Sequence, residues 1–106
     1  MDAFDTSKLI ADLASGGEEW MEFLRVPAMS LGVYRLKAGQ EDLQTPHRED
    51  EVYVVLQGRA VLRVGDRELP ALPGSVLFVE AEAEHRFESI EEDFAALVVF
   101  APAETD

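Results

Sequence analysis

The chain contains no cysteine among its 106 residues, which excludes a disulfide framework, a thiolate metal site and a cysteine nucleophile together. Positive charge is scarce: nine Lys and Arg stand against 22 Asp and Glu, for a formal net charge of −13. Such a field repels phosphate backbones and anionic lipid surfaces, so neither a nucleic acid nor a membrane is an expected partner. Long apolar runs are missing as well. The longest, Phe94 to Ala101, is far too short to span a bilayer, and Met1-Asp2-Ala3-Phe4-Asp5 lacks the basic and then apolar pattern of a secretory signal. A cytoplasmic location is therefore expected. Histidine occurs only at positions 47 and 85, and no Gly-x-Ser-x-Gly elbow is present, so hydrolysis by a serine triad has no support.

What is present suits one folded domain. Apolar residues make up 47% of the chain, too many for a disordered segment, and the length supports a single hydrophobic core. Thr6-Ser7-Lys8-Leu9-Ile10-Ala11-Asp12-Leu13-Ala14 offers cap candidates and then apolar residues at 9, 10, 13 and 14, one face of a helix that Gly16-Gly17 ends. From Glu18 onward the pattern changes to short runs cut by turn residues: Trp20 to Val26, Ser30 to Lys37, Glu51 to Gln57, Ala60 to Val64, Ser75 to Val79, His85 to Ser89 and Phe94 to Phe100. Seven strands at this spacing, with no second helical pattern, predict an all-β sandwich or barrel over residues 18–106, preceded by a helical segment over 1–17.

Both histidines fall where a loop meets a strand, the part of a barrel where side chains reach the mouth. Glu51 follows His47 by four residues and Glu49 by two, so one short segment can present an imidazole and a carboxylate to the same ion. By themselves two histidines and a carboxylate in an acidic chain are more often surface or salt-bridged groups than ligands.

The stretch from Gly39 to Ser89 resembles the two motifs of the cupin superfamily. The first motif is a glycine, five residues, His-x-His, three or four residues, Glu, six residues and Gly; here it reads Gly39, Thr45-Pro46-His47, Glu51 and Gly58, with every spacing kept and Thr45 where the first histidine belongs. The second reads Gly74, Glu80-Ala81-Glu82, His85 and Ser89, with the histidine in place and the motif's Pro, Gly and Asn replaced. The 15 residues between Gly58 and Gly74 fit the short spacer of small cupins. The resemblance implies a double-stranded β-helix, or jelly-roll barrel, and a divalent metal ion, iron, manganese, zinc or nickel, held by His47, Glu51 and His85. Two imidazoles and one carboxylate form the ligand set of facial-triad iron sites, with positions left for water or substrate. Thr45 stands as a weak metal-shell candidate, and its neutral hydroxyl implies lower affinity than a four-ligand cupin. One alternative is a barrel that has lost its metal. Another is a ligand set of His47, Glu49 and His85, resembling the triad of the 2-oxoglutarate oxygenases, although Arg48 and Arg86 should point away from it.

Period-two alternation puts Tyr53, Val55 and Gln57 on the face of Glu51 and Phe87 on the face of His85, a mostly apolar lining suited to a small organic ligand. Tyr53 is the candidate to orient a substrate or move a proton. Trp20, Met21, Phe23 and Leu24 read as core or subunit interface; an apolar edge strand wants covering, and the resemblance to small cupins implies a homodimer paired through N-terminal strands. The acidic loops Glu41-Asp42, Glu49-Asp50 and Glu80 to Glu84 are expected around the mouth, favouring neutral or cationic ligands over phosphorylated ones. Whether the chain is an enzyme of dioxygenase, lyase or isomerase type or a non-catalytic small-ligand binder stays open, because function sits in the site rather than the fold.

Overall fold

Helix α1 spans Thr6–Gly16. Its N-cap is Asp5, one residue ahead of the expected Thr6 or Ser7: the Asp5 carboxylate accepts Ser7 N–H at 2.9 Å and Lys8 N–H at 3.3 Å. Gly17, left-handed at φ 69°, closes the other end, its N–H bonding Ala14 O. Leu13 is the one residue of the helix that is fully buried. The computed structural model describes residues 1–105; Asp106, the last position of the expected barrel, lies outside the described residues.

Eight strands follow among the described residues, one more than the pattern predicts. They are β1 (Trp20–Val26), β2 (Met29–Leu36), β3 (Asp50–Gln57), β4 (Ala60–Val64), β5 (Arg67–Ala71), β6 (Val76–Val79), β7 (His85–Glu88) and β8 (Phe94–Ala101). The additional strand is β5, which carries Arg67, Glu68 and Pro70 and so lacks a strand signature. It is the edge of its sheet, where proline and charge are tolerated because one side of the ladder is unpaired.

The strands form two antiparallel sheets, ordered β1-β2-β8-β3-β6 and β5-β4-β7, with the core enclosed between them. This is an all-β jelly-roll barrel with one short helix, as the motif resemblance implies. Alternation along β3 turns Glu51, Tyr53 and Val55 inward and leaves Val52 and Val54 on the outer side. Leu36, Leu62, Val79, Phe87, Phe94, Val98 and Phe100 meet them inside. Phe87 joins the ring of Tyr53 to that of Phe94, with ring centroids 4.8 and 4.7 Å apart.

The inward face of β3 ends at Val55. The pairing with β8 shifts register between Val55 and Gln57, and Gln57 is exposed rather than on the face of Glu51 as alternation alone predicts. Gly58 then turns the chain at φ +82°, where a Cβ would lie 2.4 Å from Asp93 O. Both the conformation and the close approach call for glycine at this motif position.

Candidate metal centre and cavity

Three short segments converge at one end of the barrel. Glu51 stands near the start of β3, opposite Val79 on one side and Phe100 on the other. His85 opens β7 in the other sheet, opposite Val64. His47 comes from the loop before β3, and that loop is clipped to the β6–β7 turn: Glu82 N–H donates to His47 O at 2.7 Å and Ala81 N–H to Asp50 Oδ1 at 2.9 Å. The structure thus brings His47, Glu51 and His85 together, with one donor atom from each inside a 4.8 Å group.

The Nδ1–H of His85 donates to Ala83 O at 2.8 Å, which fixes the ring and turns Nε2 inward. Nε2 then lies 3.0 Å from Glu51 Oε1 and 3.1 Å from the Tyr53 hydroxyl. The contact with Glu51 is close but not aligned as a hydrogen bond, and Glu51 Oε1 is buried without a hydrogen-bond partner. A buried carboxylate oxygen with a free lone pair, beside two inward imidazoles, is the donor chemistry a divalent cation requires, so the three residues fit such an ion.

Around them runs a hydrogen-bonded chain that the strand pattern does not reveal. Asp42 is buried and accepts four bonds: from the Tyr34 hydroxyl at 2.6 Å, Gln44 N–H at 3.3 Å, Gln44 Nε2 at 2.6 Å and Phe87 N–H at 2.8 Å. With its amide nitrogen given to Asp42, Gln44 turns Oε1 to the Tyr53 hydroxyl at 3.0 Å. The single hydroxyl proton of Tyr53 is committed to Gln44, so its oxygen offers a lone pair to His85 Nε2. Without metal, a proton on Nε2 resolves the contact. Burial opposes that charge, but the adjacent Glu51 carboxylate and the bond to Ala83 O outweigh it, and the His85 pKa is raised. Both tyrosines are held protonated, Tyr53 by burial and by the charge of Glu51, Tyr34 by burial and by its bond to Asp42.

A cavity of about 340 Å³ opens beside these groups, walled by Trp20, Tyr34, Gln44, His47, Glu51, Tyr53, Val98, Phe100 and Glu104. His47 packs edge-on against Phe100, with centroids 4.8 Å apart. No lysine or arginine stands among these wall residues. Arg63 and Arg86 are turned outward, where both bind Glu88 and Arg63 also binds Glu68.

The other expected site residues are placed as follows. Val55 and Phe87 belong to the closed apolar core. Thr45 is exposed and lines a second cleft with Glu41, Arg63 and Arg86, one that also touches Asp42, Gln44 and His85. Glu49 is buried, but its Oε2 accepts Thr105 N–H at 3.1 Å and Thr105 Oγ1 at 2.7 Å, and it stands outside the converging group. Asp42 and Glu49 are structural carboxylates of the interior rather than parts of an acidic rim, whereas Glu80, Glu82 and Glu84 are exposed as expected. Trp20, expected in core or interface, packs against the core and also lines the cavity. Tyr34 and Glu104 carry no sequence signal of their own; Asp42 and Gln44 have one pointer, their place in the motif spacer just ahead of His47.

Comparison with known proteins adds four findings. The family model described as "Cupin domain" matches residues 32–101. An uncharacterised protein from Streptomyces coelicolor is 44% identical over 105 residues, covering 99% of this chain and all of its own. Among solved structures, TT1209 from Thermus thermophilus is 27% identical at a TM-score of 0.77 and is matched over 97% of this chain and 99% of its own. Salicylate 1,2-dioxygenase from Pseudoaminobacter salicylatoxidans, solved with gentisate, shares the fold at a TM-score of 0.75 and 15% identity, over 91% of this chain and 31% of that enzyme.

Proposed function

This chain belongs to the cupin family, and from that premise we propose that it holds one divalent metal ion through His47, Glu51 and His85 and uses it on a small, uncharged organic molecule bound in the adjoining cavity. The observation that carries this reading is the convergence of three donor atoms within 4.8 Å around a buried, unpartnered carboxylate oxygen. Two imidazoles and one carboxylate suit iron, manganese, zinc or nickel. When bound, the ion would supply Lewis acidity or, if redox-active, dioxygen chemistry of the kind named for the salicylate dioxygenase.

The chain's own residues divide the remaining work. Trp20, Val98 and Phe100 give the cavity an apolar wall that excludes water and accepts an aromatic or aliphatic body. Tyr34, Gln44 and Tyr53 supply neutral polar contacts, and the hydroxyl of Tyr53, 3.1 Å from His85 Nε2, is the group placed to orient a substrate or pass a proton. With Glu51 and Glu104 on the wall and no cation there, an anionic ligand is disfavoured unless the metal itself receives it. Homodimerisation belongs to the same reading: β1 is an edge strand, and Val26 and Met29 at its turn are exposed. A monomer mass in light scattering at micromolar concentration would remove that part.

Elemental analysis tests the metal reading on protein purified without chelator or affinity-tag metal. Near one iron, manganese, zinc or nickel per chain in the wild type, lost in His47→Ala and in His85→Ala, is the expected result. No metal in any of them, even after reconstitution, ends it. The 3.0 Å pair of His85 and Glu51 favours the second reading in that event, a non-catalytic binder whose site closes on its own ion pair and whose cavity holds a small ligand directly.

A further inference from the structure

The motif position that would supply a further ligand is the exposed Thr45, yet the cavity contains one acidic group that neither motif accounts for. Glu104 lies in the short segment that follows β8, and its backbone is pinned from several directions. Its N–H donates to Oγ of the fully buried Ser30 at 2.8 Å, and its carbonyl accepts Arg25 Nη2 at 2.8 Å. On either side, Ala103 N–H reaches Pro27 O at 3.3 Å, and Thr105 binds the buried carboxylate of Glu49 through both N–H and Oγ1. With the backbone so fixed, the side chain enters the cavity wall and brings Oε2 to 3.3 Å from His47 Nδ1. Both side chains are about one-fifth exposed, at 22% each.

Each imidazole thus has an oxygen at Nδ1: His85 Nδ1 is hydrogen-bonded to Ala83 O at 2.8 Å, and His47 Nδ1 has the Glu104 carboxylate at an ion-pair distance of 3.3 Å. An acceptor at Nδ1 sets the tautomer, leaves the lone pair on Nε2 and fixes the ring plane. Among the described residues the His47 ring, carried on a loop rather than a strand, has Phe100 beside it and no hydrogen bond or ion pair apart from that with Glu104.

We propose that Glu104 is a positioning residue for His47, binding its Nδ1–H so that Nε2 faces Glu51 and His85 as the metal-binding atom. The proposal rests on the metal reading given above and deepens it by adding a carboxylate from outside the family motifs. Glu104 stands outside the group of three converging donors, which places it behind His47 rather than on the ion. An anionic partner behind the ring also strengthens its donation to an ion, compensating in part for the ligand missing at Thr45.

The test uses the full-length protein, zinc titration by calorimetry and imidazole ¹⁵N spectra, with Glu104→Ala, Glu104→Gln and a His85→Ala control. In zinc-free wild type, His47 should show a fixed Nδ1–H tautomer that Glu104→Ala loses and Glu104→Gln retains, because the amide oxygen still accepts. Zinc should bind through His47 Nε2. Affinity should fall roughly 10- to 100-fold in Glu104→Ala, with recovery of most of it in Glu104→Gln. Zinc on Nδ1, affinity in Glu104→Ala within about twofold of wild type, or Glu104→Gln as damaged as Glu104→Ala overturns the proposal; the last would make Glu104 a direct ligand. If wild type takes no zinc, the metal reading fails by itself, and the zinc-free tautomer still decides whether Glu104 sets the ring.

Discussion

Toward the end of the barrel where β3 leaves and β8 enters, Leu36, Val55, Ala60, Leu62 and Phe94 fill the space between the sheets with apolar atoms alone. Toward the opposite end the same strands and their loops bury Asp42, Glu51 and His85 and join them to Tyr34, Gln44 and Tyr53. The first end gains from every atom removed from water, and its cost of disruption is a cavity. The second end gains little net energy from its bonds, because each polar group gave up water to make them, and its cost of disruption is an orphaned donor or acceptor. One carboxylate oxygen of Glu51 has no hydrogen-bond partner even in the intact structure. A polar cluster kept on these terms is better explained by what it binds than by what it stabilises.

Phe94→Ala presses hardest on that contrast. Phe94 is fully buried and meets Phe87 at 4.7 Å, so its truncation should cost about 3–5 kcal/mol in urea or thermal unfolding. Metal stoichiometry of whatever remains folded should stay at the wild-type level, since the site lies at the other end. Loss of metal from a folded Phe94→Ala protein would show that the two ends are not separable.

Asp42→Ala is the corresponding cut at the polar end. It strands the Tyr34 hydroxyl, the Gln44 amide and the Phe87 N–H together, and the expected loss is about 3 kcal/mol. Asp42→Asn, which keeps an acceptor, should recover part of it. Unlike Phe94→Ala, this variant should also weaken metal or ligand binding, because Gln44 and with it the Tyr53 hydroxyl lose their orientation. A stability loss with binding untouched would reduce the chain of bonds to scaffolding.

The sequence made these two ends legible to different degrees, for a physical reason. Apolar alternation is a local pattern, so β1, β3 and β4 could be read almost to the residue, and Glu51 and Tyr53 could be put on the inner face. His47, Glu51 and His85 came from motif spacing. Asp42, Gln44 and Glu104 could not be read in this way. Each lies in irregular backbone, where no period says which way a side chain points, and each has a partner that no local pattern connects to it: Phe87 for Asp42, Tyr53 for Gln44, His47 for Glu104. Strand β5 was hidden for the opposite reason: an edge strand needs so little pattern that Arg67, Glu68 and Pro70 are tolerated. Gln57 misled because a bulge cancels alternation without changing composition.

A smaller effect is expected from Gly32→Ala, which probes the wall between the two ends. A Cβ there would lie 2.2 Å from the Trp20 ring, so the indole must move, at a cost of about 1–3 kcal/mol. Trp20 is the sole tryptophan, and its fluorescence reads the change directly: the emission should shift to the red and any response to added ligand should diminish. An unchanged spectrum would mean that the ring does not close the cavity in solution.

Tyr53→Phe should cost least and divides the two ends within a single side chain. The Tyr53 ring belongs to the apolar core, edge-on to Phe87, while its hydroxyl belongs to the polar network between Gln44 and His85. Phenylalanine keeps the first and deletes the second. The loss should be about 1 kcal/mol, the net worth of a buried hydroxyl whose neighbours can partly rearrange. Metal content should persist, since His85 stays oriented by Ala83 O, whereas turnover, if the protein is an enzyme, should drop by at least the roughly 10²-fold typical of a lost proton-transfer group. A loss above about 3 kcal/mol would place the hydroxyl with the structural core. Full turnover in the variant would instead remove Tyr53 from the chemistry and leave the neutral contacts of Tyr34 and Gln44 to orient the ligand.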